Sequence, residues 1–270
     1  MAERKIKLAL LGENVKNSFS PQIHRFILEK WGHGCDYALI SVEKADFPKQ
    51  IETALRTYDG LNITNPYKRE VLPFLSEVLG DGAAIGSVNT VVCADRTGYN
   101  TDGIGLARAL ELDGVEIQGK RALVLGAGGA GRSVAKLFKD RGAQTFAYRR
   151  DKRKLREFCL ELGVNECLDL AKERFDIIVN ATGVGTKDSV GESPIESEIF
   201  RGTSWAIELG YFPKETEFMK LAKAQGARAV NGFKMLFYQA YYADCLFLKR
   251  TPSEADADDF LIEFNKNNLL

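Results

Sequence analysis

Histidine is almost absent from this chain of 270 residues: His24 and His33 are the only two, which excludes a histidine-rich metal site by count. Cysteine is sparse and odd in number. Cys35, Cys93, Cys159, Cys167 and Cys245 form no CxxC pair, and Cys159 and Cys167 stand too far apart for the usual zinc spacing, so no metal site is expected. Scattered thiols of this kind fit a reducing cytoplasm. An excess of one charge is also lacking, because 37 basic residues offset 37 acidic ones and the formal net charge is zero. With no whole-molecule field to attract them, neither nucleic acid nor an anionic membrane is expected as a partner. Long apolar runs are missing too. After the charged stretch Met1 to Lys7 only Leu8 to Leu11 is apolar, far too short for a signal or spanning helix, and a cytoplasmic protein is expected.

What is present is ordinary globular material, 45% hydrophobic and 27% charged, long enough for about two domains. Apolar runs alternate with helical patterns, which predicts an α/β fold with a mainly parallel sheet. Strands are expected at Ile6–Leu11, Asp36–Ser41 and Leu61–Thr64, with helices opening near Pro21 and over Asp46–Arg56. Ser20-Pro21 reads as an N-cap followed by a proline at the first helical position. Thr90–Ala94 and Tyr99–Thr101 resemble a hairpin. A more regular series follows the helix Gly103–Leu112: strands Arg121–Leu125, Gln144–Tyr148, Asp176–Asn180 and Trp205–Leu209, with helices Ala130–Asp140 and Lys152–Leu162. Helices Thr216–Gln225, Phe233–Phe247 and Ser253–Asn265 close the chain. The expected division is a substrate domain over 1–102, a doubly wound Rossmann-type dinucleotide domain over 103–235, and terminal helices over 236–270 packing back on the first.

One turn carries a mechanism. Gly126, Ala127, Gly128, Gly129, Ala130 and Gly131 form a GxGxxG that follows a strand and opens a helix. Gly126 permits the tight turn, Gly128 lets a pyrophosphate approach the backbone, and Gly131 lets helix and strand pack closely. The helix N-terminus then offers free N–H groups to the anion. At the end of the next strand, where an acidic residue would bind an NAD ribose, the sequence reads Tyr148-Arg149-Arg150, with Lys152 and Arg153 just beyond. An arginine fork suits a 2′-phosphate, so NADP is the expected cofactor. A solvated helix start is the plainer reading, but four cations in a first turn oppose the helix dipole.

Three earlier segments hold polar residues whose individual readings are bland caps and turns: Ser18-Phe19-Ser20-Pro21, Asn62 to Lys68, and Asn100-Thr101-Asp102-Gly103. With Gly86 to Thr90, Asn180 to Gly185, Tyr211 to Thr216 and Gly232 to Gln239, they make seven ordered blocks that resemble the shikimate dehydrogenase family, from about Leu10 to Gln239. The resemblance implies NADP-dependent, reversible reduction of 3-dehydroshikimate to shikimate in aromatic amino-acid biosynthesis. Lys68 and Asp102 match the catalytic pair. A lysine ammonium can give a proton to a ketone oxygen, and a carboxylate beside it holds that ammonium. An ordinary lysine, with a pKa near ~10.4, is neutral in only ~0.1% or less of molecules at pH 7, so the oxidative direction is expected to improve at alkaline pH.

By the same resemblance Ser18 and Ser20 hold the substrate carboxylate, Thr64, Asn89, Asp102 and Gln239 bracket the ring hydroxyls, and Tyr211 contacts the carboxylate side. Thr182, Leu209, Gly232 and Met235 approach the cofactor. A monomer or homodimer is expected. Asn14 and Asn17 stand where the family often has Pro and His, Glu208 where it often has Asp, and Thr186 where it often has Met. The first two could re-aim the serine loop, and the last two could alter nicotinamide positioning; quinate or an amino analogue stays open as substrate. Three other functions compete: a broader quinate/shikimate dehydrogenase, a methylenetetrahydrofolate-type dehydrogenase, and a nonenzymatic NADP-binding regulator.

Overall fold

Strand β1 (Ile6–Gly12) shows why the first sheet is buried on both sides. Its side chains alternate, Ala9 and Leu11 into one apolar cluster, Leu8 and Leu10 into another. In the computed structural model, which describes residues 5–186 and 189–268, this strand lies inside the sheet of the first of two compact units, second from one edge. That unit comprises 1–105 and 236–270, and the second comprises 106–235. Residues 1–4, 269 and 270 of the expected first domain lie outside the described residues.

In the first unit, α1 (Ser20–Lys30), β2 (Cys35–Ser41), α2 (Phe47–Thr57) and β3 (Gly60–Ile63) follow β1. Next come the two-residue β4 (Glu77–Val78), α3 (Asp81–Ile85), β5 (Thr90–Val92), β6 (Thr97–Tyr99) and α4 (Asp102–Leu112), which runs into the second unit. The sheet order is β2-β1-β3-β5-β6-β4. β1 is parallel to β2 and β3, and β5 runs antiparallel to both β3 and β6. The hairpin is present. Helix α2 sends Phe47, Ile51, Ala54 and Leu55 into the cluster with Leu61, Ile63 and Val91.

One local reading needs correction. Ser20 does not cap α1. The helix begins at Ser20 itself, Phe19 occupies the cap position without a side-chain bond, and the Ser18 hydroxyl accepts the Ser20 N–H at 3.2 Å. The proline at the first turn still explains why a helix starts here.

The second unit continues with β7 (Arg121–Leu125), α5 (Gly129–Asp140), β8 (Gln144–Tyr148), α6 (Lys152–Leu162), β9 (Asn165–Glu166), β10 (Ile177–Asn180), β11 (Trp205–Glu208), α7 (Glu217–Ala224) and β12 (Arg228–Val230). Its strands are all parallel, in the order β12-β11-β10-β7-β8-β9. Ala122, Leu123, Val124 and Leu125 are all buried, as expected of a strand covered on both faces. This is the doubly wound order, reversing at β7.

Helix α8 (Phe233–Leu248) returns the chain to the first unit, and α9 (Glu254–Asn268) packs there on α1 through Phe260 and Phe264 against Phe26. Inside this unit His24 of α1 meets Asp244 of α8, Nδ1 to Oδ1 2.6 Å, with both side chains fully buried. No helix among the described residues is long and apolar enough to cross a membrane.

Candidate active site

Strand direction gathers the polar segments of the first unit. β1 and β3 are parallel, so the loop with Ser18 and the turn with Thr64 and Lys68 leave from the same, carboxyl, edge. β5 is antiparallel, which brings its entry residue Asn89 to that edge beside Asn62. β6 reverses again, and its exit delivers Asn100 to Asp102 there too. A period-two strand with fixed register thus determines which residues can meet.

Four of the proposed substrate residues are in direct contact. Lys68 donates to Asp102 Oδ2 at 2.5 Å, and Asn89 Nδ2 donates to Asp102 Oδ1 at 2.8 Å and to Gln239 Oε1 at 3.4 Å. Asp102 opens α4, where the helix N-terminus favours a carboxylate. Its own N–H donates to Asn100 Oδ1 at 3.0 Å, the Asx-type bond that the Asn-Thr-Asp order permits. The carboxamide oxygen of Asn89 accepts from Thr101 N–H and from the Thr90 hydroxyl, each at 2.9 Å, so this amide cannot swing away from Asp102. The lysine side chain keeps 15% of its surface exposed and the aspartate 7%, so the pair is sheltered but reachable.

Gln239 arrives on α8. Close packing places it: a Cβ on Gly105 of α4 would lie 2.6 Å from the Gln239 backbone nitrogen. Ser18 and Ser20 pair with each other, hydroxyl to hydroxyl, at 3.0 Å. The Thr64 hydroxyl has no protein partner among the described residues. Tyr37, which sequence reasoning passed over as an ordinary strand residue, bonds Ser20 and donates to Asn62 Oδ1 at 2.8 Å. Asn62 reaches Thr90 Oγ1 at 3.5 Å, so the serine pair and the Lys68–Asp102 couple share one buried polar network.

In the second unit the glycine turn has the expected construction. Gly126 holds φ +97°, and a Cβ on Gly131 would sit 2.4 Å from the Gly126 carbonyl oxygen. A Cβ on Gly128 would meet nothing within 4 Å, which leaves open space beside the backbone at the start of α5. Ala127, Gly129 and Ala130 complete the cradle, with Gly128 as the cap. Thr182, Leu209 and Gly232 follow β10, β11 and β12 at the same carboxyl edge; Met235 lies in the first turn of α8 and is buried, and Tyr211 is half-buried.

The basic cluster divides. Lys152 lies 4.7 Å from the centre of the Tyr148 ring and donates to the Leu168 carbonyl, and Arg153 faces Glu157 at 3.8 Å. Asp151 caps α6 by accepting the Lys154 N–H, and that bond holds its carboxyl below the usual range. The cap and these partners supply a structural reason for the basic turn. Arg149, half-buried, and Arg150, exposed, have no ion-pair partner among the described residues. Two arginines without a close ion pair, at the end of the strand beside an open glycine cradle, suit a dinucleotide that carries an additional phosphate.

A family model for the shikimate dehydrogenase substrate binding domain matches residues 10–91. A shikimate dehydrogenase (NADP(+)) from Moorella thermoacetica is 34% identical over 273 residues, spanning 95% of this chain and 92% of that protein. One from Thermus thermophilus is 34% identical over 257 residues, covering 94% and 97%. This chain belongs to the shikimate dehydrogenase family. Among solved structures, a chorismate mutase/shikimate 5-dehydrogenase fusion protein from Clostridium acetobutylicum superposes with a TM-score of 0.89 at 33% identity, covering 98% of this chain and 99% of that one. The Thermus thermophilus shikimate 5-dehydrogenase, solved in complex with NADP(H) and shikimate, gives 0.86 at 32% identity, covering 96% and 99%.

The four family departures have distinct settings. Asn14 and Asn17 are exposed in the loop before Ser18. The Thr186 hydroxyl donates to the Gly183 carbonyl at 2.7 Å. Glu208 is fully buried.

Proposed function

We propose that this chain catalyses the NADP-dependent, reversible reduction of 3-dehydroshikimate to shikimate, an oxidoreductase step of aromatic amino-acid biosynthesis. The observation that carries this reading is the Lys68–Asp102 pair, 2.5 Å apart and flanked by Asn89 and Gln239 at the carboxyl edge of the first sheet. NADPH, when bound, supplies the hydride that reduces the ketone carbon. Gly126 to Gly131 and the start of α5 would hold its pyrophosphate, and Arg149 with Arg150 its 2′-phosphate. Thr182, Leu209, Gly232 and Met235 would line its nicotinamide end.

The chain's own part is proton delivery and orientation. The Lys68 ammonium polarises the ketone and gives its proton to the oxygen; in the oxidative direction neutral Lys68 takes the proton from the hydroxyl. Asp102 fixes Lys68 with one oxygen while Asn89 anchors the other. Ser18 and Ser20 bind the substrate carboxylate by hydroxyl donation. Thr64, Asn89, Asp102 and Gln239 bracket the ring hydroxyls, an array of short polar groups that penalises any substrate leaving them unpaired. The setting is a reducing cytoplasm, with the enzyme a monomer or homodimer.

The test is turnover of the purified protein with shikimate and each of NADP and NAD, followed by nicotinamide absorbance. Rapid NADP reduction is expected; NADP binding without turnover would identify a regulator instead. Quinate is the second substrate to assay, because Asn14 and Asn17 replace the family's usual residues next to the serine pair. Quinate oxidation comparable to shikimate oxidation would establish the broader specificity.

A further inference from the structure

We propose that Glu208 is a positioning residue for the nicotinamide end of the cofactor site: its buried carboxylate sets the shape of the loops that leave β10 and β11, and those loops grip NADPH best when it is ionised. The proposal rests on the assignment of Thr182 and Leu209 to the cofactor, given above.

The geometry is a fan with one root. Glu208 ends β11 and has no exposed surface. Its Oε2 accepts from Asn180 Nδ2 at 2.7 Å and from the Thr216 hydroxyl at 3.2 Å, while Oε1 accepts the Gly210 N–H at 2.8 Å. Asn180 passes the constraint on. Its Oδ1 accepts from Thr182 N–H at 3.1 Å and from the Thr182 hydroxyl at 2.6 Å, and its Nδ2 also donates to the Val184 carbonyl at 2.9 Å. Thr216 is the N-cap of α7, and Gly210 precedes Tyr211. One carboxylate thus ties together a cofactor loop, the segment after β11 and a helix start.

The surrounding segments approach closely at two glycines. A Cβ on Gly210 would lie 2.4 Å from Thr186 Cγ2 and 3.1 Å from Glu208 Oε1, and one on Gly232 would lie 2.0 Å from the Leu209 carbonyl oxygen. The segments that follow β11 and β12 therefore pack backbone to backbone at Leu209 and Gly232, and the one after β10 reaches Gly210 through the Thr186 methyl. A shift of the carboxylate is passed to Thr182 through Asn180 and to the segment after Leu209 through the Gly210 N–H.

The protonation state matters because the three neighbours are donors. Asn180 Nδ2 and Gly210 N–H can only donate, and only the Thr216 hydroxyl can reverse to accept. The ionised form satisfies all three, whereas the neutral acid has to place its hydrogen among them. The partners from β10, the loop after β11 and α7 are all uncharged, and no charged side chain pairs with Glu208 among the described residues. Burial pushes its carboxyl up to about 7, against the lowering by Gly210, Asn180 and Thr216. Both forms are therefore populated near neutrality.

NADPH affinity, measured by fluorescence titration from pH 6 to pH 8 without substrate, tests this in wild type, Glu208→Gln, Glu208→Asp and Thr216→Val. The 2′-phosphate titrates in the same range but equally in every variant, so the comparison isolates Glu208. Wild-type binding is expected to tighten with pH, and Glu208→Gln, whose amide offers a donor to donors, to bind about tenfold more weakly at pH 8 with a flatter profile. Glu208→Asp restores an ionisable acid and is expected to recover the slope. Thr216→Val removes one donor to the charged form and is expected to move the midpoint upward. Glu208→Gln with wild-type affinity and slope overturns the proposal, as does an unmoved midpoint in Thr216→Val should Glu208→Gln fail to fold. A protein that binds NADPH with the expected slope yet does not turn over shikimate would refute the assigned reaction and leave this inference intact.

Discussion

At the residue scale the separation of roles between charged groups is the main result. Of the cations after β8, Lys152 is engaged by Tyr148 and the Leu168 carbonyl, while Arg149 and Arg150 form no ion pair within 4 Å among the described residues, Arg149 acting on Asp151 only at longer range. A charge-assisted bond to a phosphate is worth about 1.5–3 kcal/mol. Arg149→Ala is therefore expected to weaken NADP by about 10- to 100-fold and to leave NAD nearly unchanged. Isothermal titration with both cofactors checks this, and equal losses would show that Arg149 serves the helix and not the phosphate. The thiols divide in the opposite sense: burial pushes Cys35, Cys93 and Cys245 up to about 12, which suits inert packing and not nucleophilic or redox work.

At the element scale, local pattern carried far. Strands β1, β7 and β8 and helices α2, α5 and α6 fall within a residue or two of where periodicity places them, because each buries a regular apolar face. β4, β9, β12 and α3 escaped that reading. They span two, two, three and five residues, too short for a period to register, and are held by neighbouring strands or turns. The ends were less legible than the middles: Ser18-Phe19-Ser20-Pro21 spells a cap, but the helix starts one residue earlier and uses Ser18. The seven blocks held every residue of the Lys68–Asp102–Asn89–Gln239 contact, yet Tyr37 and the His24–Asp244 pair gave no signal, since partners 220 residues apart share no local pattern.

That pair now joins α1, which carries Ser20, to α8, which carries Gln239. His24 also stacks on Tyr37 with ring centres 4.8 Å apart. Removing one member of a buried pair strands the other, at a cost of about 3–5 kcal/mol. Urea unfolding of Asp244→Ala is expected to show a loss of this size, with the midpoint shifted and the slope kept. A loss below about 1 kcal/mol would mean that packing alone holds the two helices.

At the scale of the whole molecule, two units each built on a sheet share a chain that crosses in α4 and returns in α8. The sequence predicts terminal helices over 236–270 packing back on the first domain; the contacts that hold them, such as Phe26 against Phe264, join residues too far apart in the chain for any local pattern to show. Global stability also carries a pH signature. Glu208 binds its proton more tightly in the fold, near 7, than at its ordinary value of 4.5. Its contribution is therefore complete below about pH 4.5 and is lost as pH rises through about 7, about 3 kcal/mol in all. Denaturant unfolding at pH 5 and pH 8 is expected to show wild type losing more stability than Glu208→Gln over that interval. Parallel losses would place the pH dependence elsewhere.

The claim on which the functional account depends is that Lys68 moves the proton. Initial-rate kinetics of Lys68→Ala against wild type, with shikimate and NADP varied, test it most directly. A fall in kcat of about 10²- to 10⁴-fold with the shikimate KM little changed is the expected result. A variant that keeps its kcat and loses only KM would show that Lys68 merely binds the substrate, and would contradict the account.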